Sequence, residues 1–149
     1  MTIYNHYIEH SSATFDVVPY SVGARAPWFA QFAETGPYQL LVAVSCDKVV
    51  GFCCSTRFKS RAAYEVSIET TAYVAPGALG QGIGFKMYNA LFAGVAGNDL
   101  HGAYAGVTLP NEASVALHQK LGFRKIGVFE EVGRKFDRYW SVAWFEKRI

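Results

Sequence analysis

The sequence predicts an α/β (α+β) fold, a mixed sheet with helices on both faces. Three observations carry that expectation. Runs of β-branched and aromatic residues alternate with stretches whose apolar residues recur at helical spacing. The strand ending Tyr73-Val74 passes through the glycine-rich segment Ala75-Pro76-Gly77-Ala78-Leu79-Gly80-Gln81-Gly82 and straight into the helical segment Ile83-Gly84-Phe85-Lys86-Met87-Tyr88. The 149 residues are 51% hydrophobic and 17% charged, which suits one domain with a sizeable core and argues against disorder.

The elements follow in order. A helix begins the chain. Pro27-Trp28-Phe29-Ala30-Gln31-Phe32 is expected to start a second helix, and Gly36-Pro37 to end it. Leu40 to Val44 and Val49 to Ser55 read as strands joined by a polar turn at Asp47-Lys48. Val66 to Val74 is a long strand. Ile83, Met87, Leu91 and Val95 give the next helix an apolar stripe that reads as core. Ala103 to Leu109 is a strand. Val115, Leu117, Leu121 and Phe123 belong to a helix that ends at Gly122. Lys125 to Glu131 and Phe136 to Phe145 read as a closing hairpin around Gly133. With no repeat, linker or low-complexity tract, residues 1–149 are expected to form a single domain.

Composition narrows the function. A net charge of +2 is too small to point to nucleic acid or an acidic membrane as partner. No run has transmembrane length, and no N-terminal segment reads as a signal peptide. The cysteines, Cys46, Cys53 and Cys54, form no framework, so a cytoplasmic location is expected. Cys53 and Cys54 are neighbours in a strand and face opposite sides, so each reads as a small packed hydrophobe. His6 and His10 lie four apart on a helix without an evident third ligand, and no metal is expected.

The glycine-rich turn is the chemical signal. Glycines let backbone approach a ligand, and a helix N-terminus offers unpaired N–H groups that favour a phosphate. A nucleotide P-loop would need Lys-Ser/Thr after Gly82, where Ile83-Gly84 stand. A dinucleotide turn would need Gly-x-Gly-x-x-Gly and a carboxylate ending the next strand, where Leu109-Pro110-Asn111 stand. A coenzyme A pyrophosphate loop and a connection that binds nothing both remain.

The wider chain adds a resemblance. Ile3-Tyr4-Asn5-His6-Tyr7-Ile8-Glu9, Ser12-Ala13-Thr14-Phe15 and Phe58-Lys59-Ser60-Arg61-Ala62-Ala63-Tyr64 come first. Glu69-Thr70-Thr71-Ala72-Tyr73-Val74, Leu109-Pro110-Asn111-Glu112-Ala113-Ser114-Val115-Ala116-Leu117-His118-Gln119-Lys120-Leu121-Gly122-Phe123 and Val132-Gly133-Arg134-Lys135-Phe136 follow in order. From Ile3 to Phe145 the chain resembles the GNAT superfamily of N-acetyltransferases, specifically its phosphinothricin acetyltransferase branch. The resemblance implies a mostly antiparallel GNAT sheet. It also implies direct acetyl transfer from acetyl-CoA to a small amine, with no acyl-cysteine.

It implies site residues as well. Backbone amides from Leu79 through Gly80, Gln81, Gly82, Ile83 and Gly84 to Phe85 would hold the pyrophosphate. Ala72, Tyr73 and Val74 would face the pantetheine arm. Asn111 would touch the amide or thioester end, and on its own chemistry it is also a good N-cap. Glu69, in an otherwise apolar strand, would be the base, because burial raises its pKa. His118 stands where many superfamily members carry a tyrosine acid, and would protonate the departing thiolate or relay a proton. Lys59, Arg61 and Tyr64, completed by Lys135 and Phe136, would bind an amino-acid-like substrate with an anionic side chain, such as phosphinothricin, methionine sulfone or methionine sulfoximine.

Three departures accompany the resemblance. The family carries a strand ahead of the segment matching Ile3, where this chain has Met1-Thr2, so an exposed sheet edge and a homodimer are expected. Leu79 replaces a Gln or Arg, at an expected cost of about 1 kcal/mol if that side chain hydrogen-bonds phosphate. Ser141 precedes Val142 where the family has Asp. Two alternatives stay open: a coenzyme A-binding sensor without turnover, and an acetyltransferase acting on protein N-termini.

Overall fold

Six strands form one sheet in the computed structural model, which describes residues 1–149. They are β1 (Leu40–Ser45), β2 (Lys48–Arg57), β3 (Ser67–Val74), β4 (Gly102–Leu109), β5 (Arg124–Lys135) and β6 (Arg138–Arg148). The helices are α1 (Thr2–His10), α2 (Val22–Phe29), α3 (Ile83–Val95) and α4 (Glu112–Lys120). Across the sheet the order is β1-β2-β3-β4-β6-β5. Each neighbouring pair is antiparallel except β3–β4. The mixed, mostly antiparallel sheet is the one expected.

Two helix pairs cover the two faces. The α3 stripe of Met87, Tyr88, Leu91 and Val95 is buried against Cys53, Ile68, Ala103, Ala105 and Phe145. Each such side chain stabilises the fold by about 2 kcal/mol through area removed from water. On the opposite face the α1 rings Tyr4 and Tyr7 pack on Tyr73, and Tyr4 also on Phe52. Cys53 and Cys54 are both buried on opposite sides, as the strand period requires. No helix is long and apolar enough to cross a membrane.

Two boundaries differ from the sequence reading. The second helix begins at Val22, and Pro27 lies inside it. Its N-cap is Ser21, whose hydroxyl accepts from the Ala24 amide at 3.2 Å. A proline signals a helix start only when no better cap precedes it, and here one does. The helix stops at Phe29, well before Gly36-Pro37.

The closing hairpin turns at Phe136-Asp137, not at Gly133. Both turn residues have positive φ, 53° and 54°, the two-residue turn whose twist matches a hairpin. Gly133 instead lies within β5, opposite Trp140. It is glycine because the Phe15 ring rests on its α-carbon: an added Cβ would overlap Phe15 Cε2, with Cδ2 at 2.5 Å and Cζ at 2.6 Å. Gly133→Ala should therefore overpack this contact by about 1–3 kcal/mol and lower Tm by roughly 3–10 °C. Thermal melts check this; an unchanged Tm would show that the loop yields freely.

Candidate active site

The parallel pair opens a cleft through the sheet. β3 and β4 pair only at Ser67↔Gly102, Ile68↔Ala103 and Glu69↔Tyr104. Beyond that rung β3 stays paired to β2 as far as Val74, and β4 to β6 as far as Leu109. The two inner edges diverge. A cleft of about 190 Å³ lies between them, lined by Thr70–Val74, Gly106–Thr108 and, from the helix side, Tyr88, Asn111, Ser114 and His118. Backbone polar groups seek partners when water is excluded. Two diverging strand edges therefore suit an extended ligand that carries amides of its own, added like a strand.

The glycine-rich turn stands at one end of that cleft. Leu79 lines it and is 58% exposed. Gly80 and Gly82 have φ of 74° and 72°. Left-handed residues placed this way turn successive amides toward one side and form an anion nest. The Leu79 amide, expected among the donors, is turned to the Pro76 carbonyl at 3.5 Å, but those of Gly80, Gln81, Gly82, Ile83, Gly84 and Phe85 find no backbone acceptor; the ladder of α3 begins with Lys86 N–H donating to Gly82 at 3.1 Å. These orphan donors stand at the positive end of the helix dipole. Lys120, whose Nζ lies 4.6 Å from the Phe85 ring centre, adds a cation beside them. The donor set fits a diphosphate.

Asn111 has two expected roles, helix cap and cofactor contact, and its two side-chain atoms differ in what they meet. Its Oδ1 accepts from the Ser114 amide at 3.1 Å, which makes it the N-cap of α4. Its Nδ2 makes no hydrogen bond within the chain, and the residue lines both the cleft and the concavity behind α4.

His118 is buried, only 5% exposed. Its Nδ1 lies 2.8 Å from the Ser114 carbonyl and its Nε2 3.2 Å from the Tyr88 hydroxyl. A carbonyl accepts only, so Nδ1 carries the proton of the neutral ring and Nε2 accepts from Tyr88. Burial lowers the pKa of His118, against a smaller upward pull from the Ser114 carbonyl. It also drives the Tyr88 hydroxyl up. Tyr88 is a cleft residue that the sequence reading missed. Its one signal was a hydroxyl-bearing ring in an otherwise aliphatic stripe, which reads equally well as core.

Glu69 stands at the fork, on the last paired rung and on the sheet face away from α3. It is half-buried, and its carboxylate meets none of the cations that form ion pairs in this chain. Burial raises its pKa. Opposite it on β4, Tyr104 stacks on Phe58 at 4.3 Å, and Phe58 meets Trp144 edge-on at 6.0 Å. The Trp144 Nε1–H is buried without an acceptor. This aromatic wall was not among the expected site residues, because it assembles from three separate strand regions.

The expected substrate residues divide. Lys59 reaches over Phe58 and Tyr64, with Nζ at 5.1 and 5.2 Å from the two ring centres, and so borders the aromatic wall. Arg61 caps the short 3₁₀ turn Ala62–Tyr64 and is exposed. Lys135 and Phe136 are placed elsewhere, which corrects the expectation for them. The Lys135 ammonium is buried and donates to the carbonyls of Ser11 at 2.7 Å and Thr14 at 2.8 Å. It ties the hairpin to the loop after α1. Phe136 sits at the exposed hairpin tip.

A larger concavity of about 1000 Å³ lies between α4 and the β5–β6 hairpin. It has no fork, no nest and no His118, so size does not choose the site. Convergence of free amides, open strand edges and a desolvated carboxylate does.

Known proteins resemble this chain in sequence and fold. Residues 2–123 match the family model described as the acetyltransferase (GNAT) family. The chain is 48% identical over 149 residues to a phosphinothricin N-acetyltransferase of Streptomyces coelicolor, covering 99% of this chain and 87% of that protein. It is 28% identical to an L-methionine sulfoximine/L-methionine sulfone acetyltransferase of Pseudomonas aeruginosa, covering 100% of this chain and 87% of the relative. A crystal structure of a GNAT superfamily phosphinothricin acetyltransferase from Sinorhizobium meliloti, in complex with AcCoA, superposes with a TM-score of 0.90 at 25% identity, covering 99% of this chain and 80% of that one.

Proposed function

Because the chain belongs to the GNAT acetyltransferase family and is an N-acetyltransferase that uses acetyl-CoA, we propose that it acetylates the amine of a small amino acid or analogue. The class is that of phosphinothricin, methionine sulfone and methionine sulfoximine, on which relatives are named as acting. The observation that carries the reading is Glu69, desolvated and without an ion-pair partner at the fork of the cleft.

Acetyl-CoA, bound along the cleft, supplies an acyl group on a thioester. The nest from Gly80 to Phe85 holds its diphosphate. Ala72 and Val74, whose backbone groups turn away from β2, offer partners to its pantetheine arm, whereas the Tyr73 backbone is spent on Phe52 across the ladder. The free Nδ2 of Asn111 donates to a carbonyl of the same arm. Glu69, directly or through one water, takes the proton that the amine must lose as it attacks. Tyr88, held by His118, returns a proton to the departing sulfur. Burial keeps the His118 ring neutral with its proton on Nδ1, so Tyr88 is the donor: its hydroxyl turns from Nε2 to the departing sulfur, gives up its proton there and regains one from solvent. Lys59, Arg61 and Tyr64, beside the Phe58–Tyr104 stack, receive the side chain of the acceptor.

Thiol release from acetyl-CoA tests this reading. The panel is phosphinothricin, methionine sulfone, methionine sulfoximine, a polyamine and an N-terminal peptide. Turnover is expected with the amino-acid analogues. A preference for the peptide or the polyamine would overturn the substrate class.

We also propose a homodimer in a cytoplasmic setting. The outer strands carry exposed apolar side chains: Val42 and Val44 on β1 are 55% and 61% exposed, and Phe129 and Val132 on β5 are 57% and 55% exposed. Uncovered edges of this kind invite pairing with another chain. Size-exclusion chromatography with light scattering should give two chains per particle; a single chain at micromolar concentration would overturn the proposal.

A further inference from the structure

Beside Glu69 lies a cationic pocket that the reaction as described leaves unused. Arg25 on α2 is half-buried beneath three aromatic rings. Its guanidinium carbon is 4.9 Å from the Tyr4 ring centre, 4.7 Å from Tyr20 and 4.3 Å from Trp28. Stacking occupies the faces of a guanidinium and leaves its in-plane N–H fork available. That fork meets no carboxylate: the chain's ion pairs are Arg57–Glu65, Arg124–Glu146 and Arg134–Asp137. Asp16, an acid of the same cluster, accepts instead from the Tyr4 hydroxyl at 2.6 Å. A fixed, half-buried arginine with an open fork is built to receive an anion.

The cavity that Arg25 enters points to which anion. It measures about 140 Å³ and is lined from the sheet by Cys54, Thr56, Thr71 and Tyr73. In the antiparallel register Cys54 faces Thr71 and Thr56 faces Glu69, so all four share one face with the proposed base. Thr71 and Glu69 are alternate residues of β3, about 7 Å apart along the strand. An α-amino acid with a hydrogen bond of about 2.9 Å at each end spans that gap. Its carboxylate then meets Arg25 and the Thr71 hydroxyl while its amine meets Glu69. The Lys59–Tyr64 segment stands on the other side of Glu69, beyond Tyr104.

We propose that Arg25 receives the α-carboxylate of the acceptor and so determines selection of α-amino acids over simple amines. The proposal rests on the amino-acid reading above and adds which group is recognised and where. Lys59 and Arg61 are left to the side chain, so an analogue with two anionic groups meets two cationic poles with its amine between them.

The test compares methionine sulfone with its carboxamide, in which the carboxylate is replaced by a neutral amide. Wild type, Arg25→Gln and Arg25→Lys are assayed with saturating acetyl-CoA. Wild type should favour the acid in kcat/KM. Arg25→Gln should raise KM for the acid about 10- to 100-fold and leave kcat/KM for the carboxamide within about threefold, so that the preference collapses. Arg25→Lys should restore part of it. Equal losses on acid and amide would mean that Arg25 only cements the aromatic cluster, and would overturn the proposal. Equal wild-type rates on acid and amide would overturn it without any variant. Wild-type turnover of neither compound, with polyamine or peptide acetylated instead, would remove the amino-acid reading itself.

Discussion

Glu69→Gln is expected to lower kcat by about 100- to 10,000-fold, the usual contribution of a positioned general base, while acetyl-CoA still binds. Glutamine keeps the shape of the side chain and removes only its capacity to take a proton. The pH dependence separates this from damage. In wild type the acid limb of the kcat profile lies above the ordinary carboxylate range, because burial holds the Glu69 proton on. In the variant that limb disappears.

Stability should move the other way. Desolvation raises the Glu69 pKa in the folded chain above its unfolded value. The folded state therefore binds the extra proton, and the stability this confers is full below the unfolded pKa and lost as pH rises through the folded one. At neutral pH the ionised side chain opposes folding. Glutamine relieves that cost, so the variant's Tm at pH 7 should equal or exceed that of wild type. A residual kcat above about one third of wild type, with a normal melt, would assign the base elsewhere. A trade of this sign, activity against stability at one residue, is what a working active-site carboxylate produces.

The second large effect is expected at the turn. Gly82→Ala should weaken coenzyme A binding about 5- to 30-fold by calorimetry. Gly82 has a φ of 72°, and an alanine there is strained by about 1–2 kcal/mol per residue of left-handed backbone. Nothing lies within 4 Å of the added Cβ, so the cost is conformational and not a clash. Relaxing the strain turns the Gly82 and Ile83 amides away from a common point, and the nest loses its focus. Gly84→Ala is the control. Its Cβ would meet Leu117 Cδ2 at 3.0 Å, the far end of a flexible side chain that can shift, so its effect should be small. The loss should also be confined to the diphosphate: S-acetylpantetheine, which lacks it, should be used equally well by wild type and Gly82→Ala. Equal loss with both donors would mean that the turn shapes the cleft and does not bind phosphate.

The parts legible in the sequence are those governed by local rules. The apolar stripe of α3 and the alternation that sends Cys53 and Cys54 to opposite faces need only the periods of helix and strand. The glycines of the 80–84 turn announce a backbone close to a ligand, and the resemblance named that ligand. Asn111 reads as a cap because capping is decided within four residues. The start of α2 was misplaced where two local rules competed and the Ser21 cap prevailed over the proline.

Period and composition within single segments thus carry the alternation of strands and helices, the glycine-rich turn and the lone acid of β3. How these meet depends on the packing of segments far apart in the chain. β3 and β4 separate after one rung of pairing past Ile68, which places Glu69 at the mouth of the cleft. Tyr88 becomes the partner of His118 although 30 residues separate them. Lys135 is drawn from the substrate side to the carbonyls behind α1, and Arg25 is brought beside β3 by rings from α1, the following loop and α2. Such contacts join distant segments, and hydrophobic burial, which is non-directional, can satisfy them in many ways until the whole chain is packed.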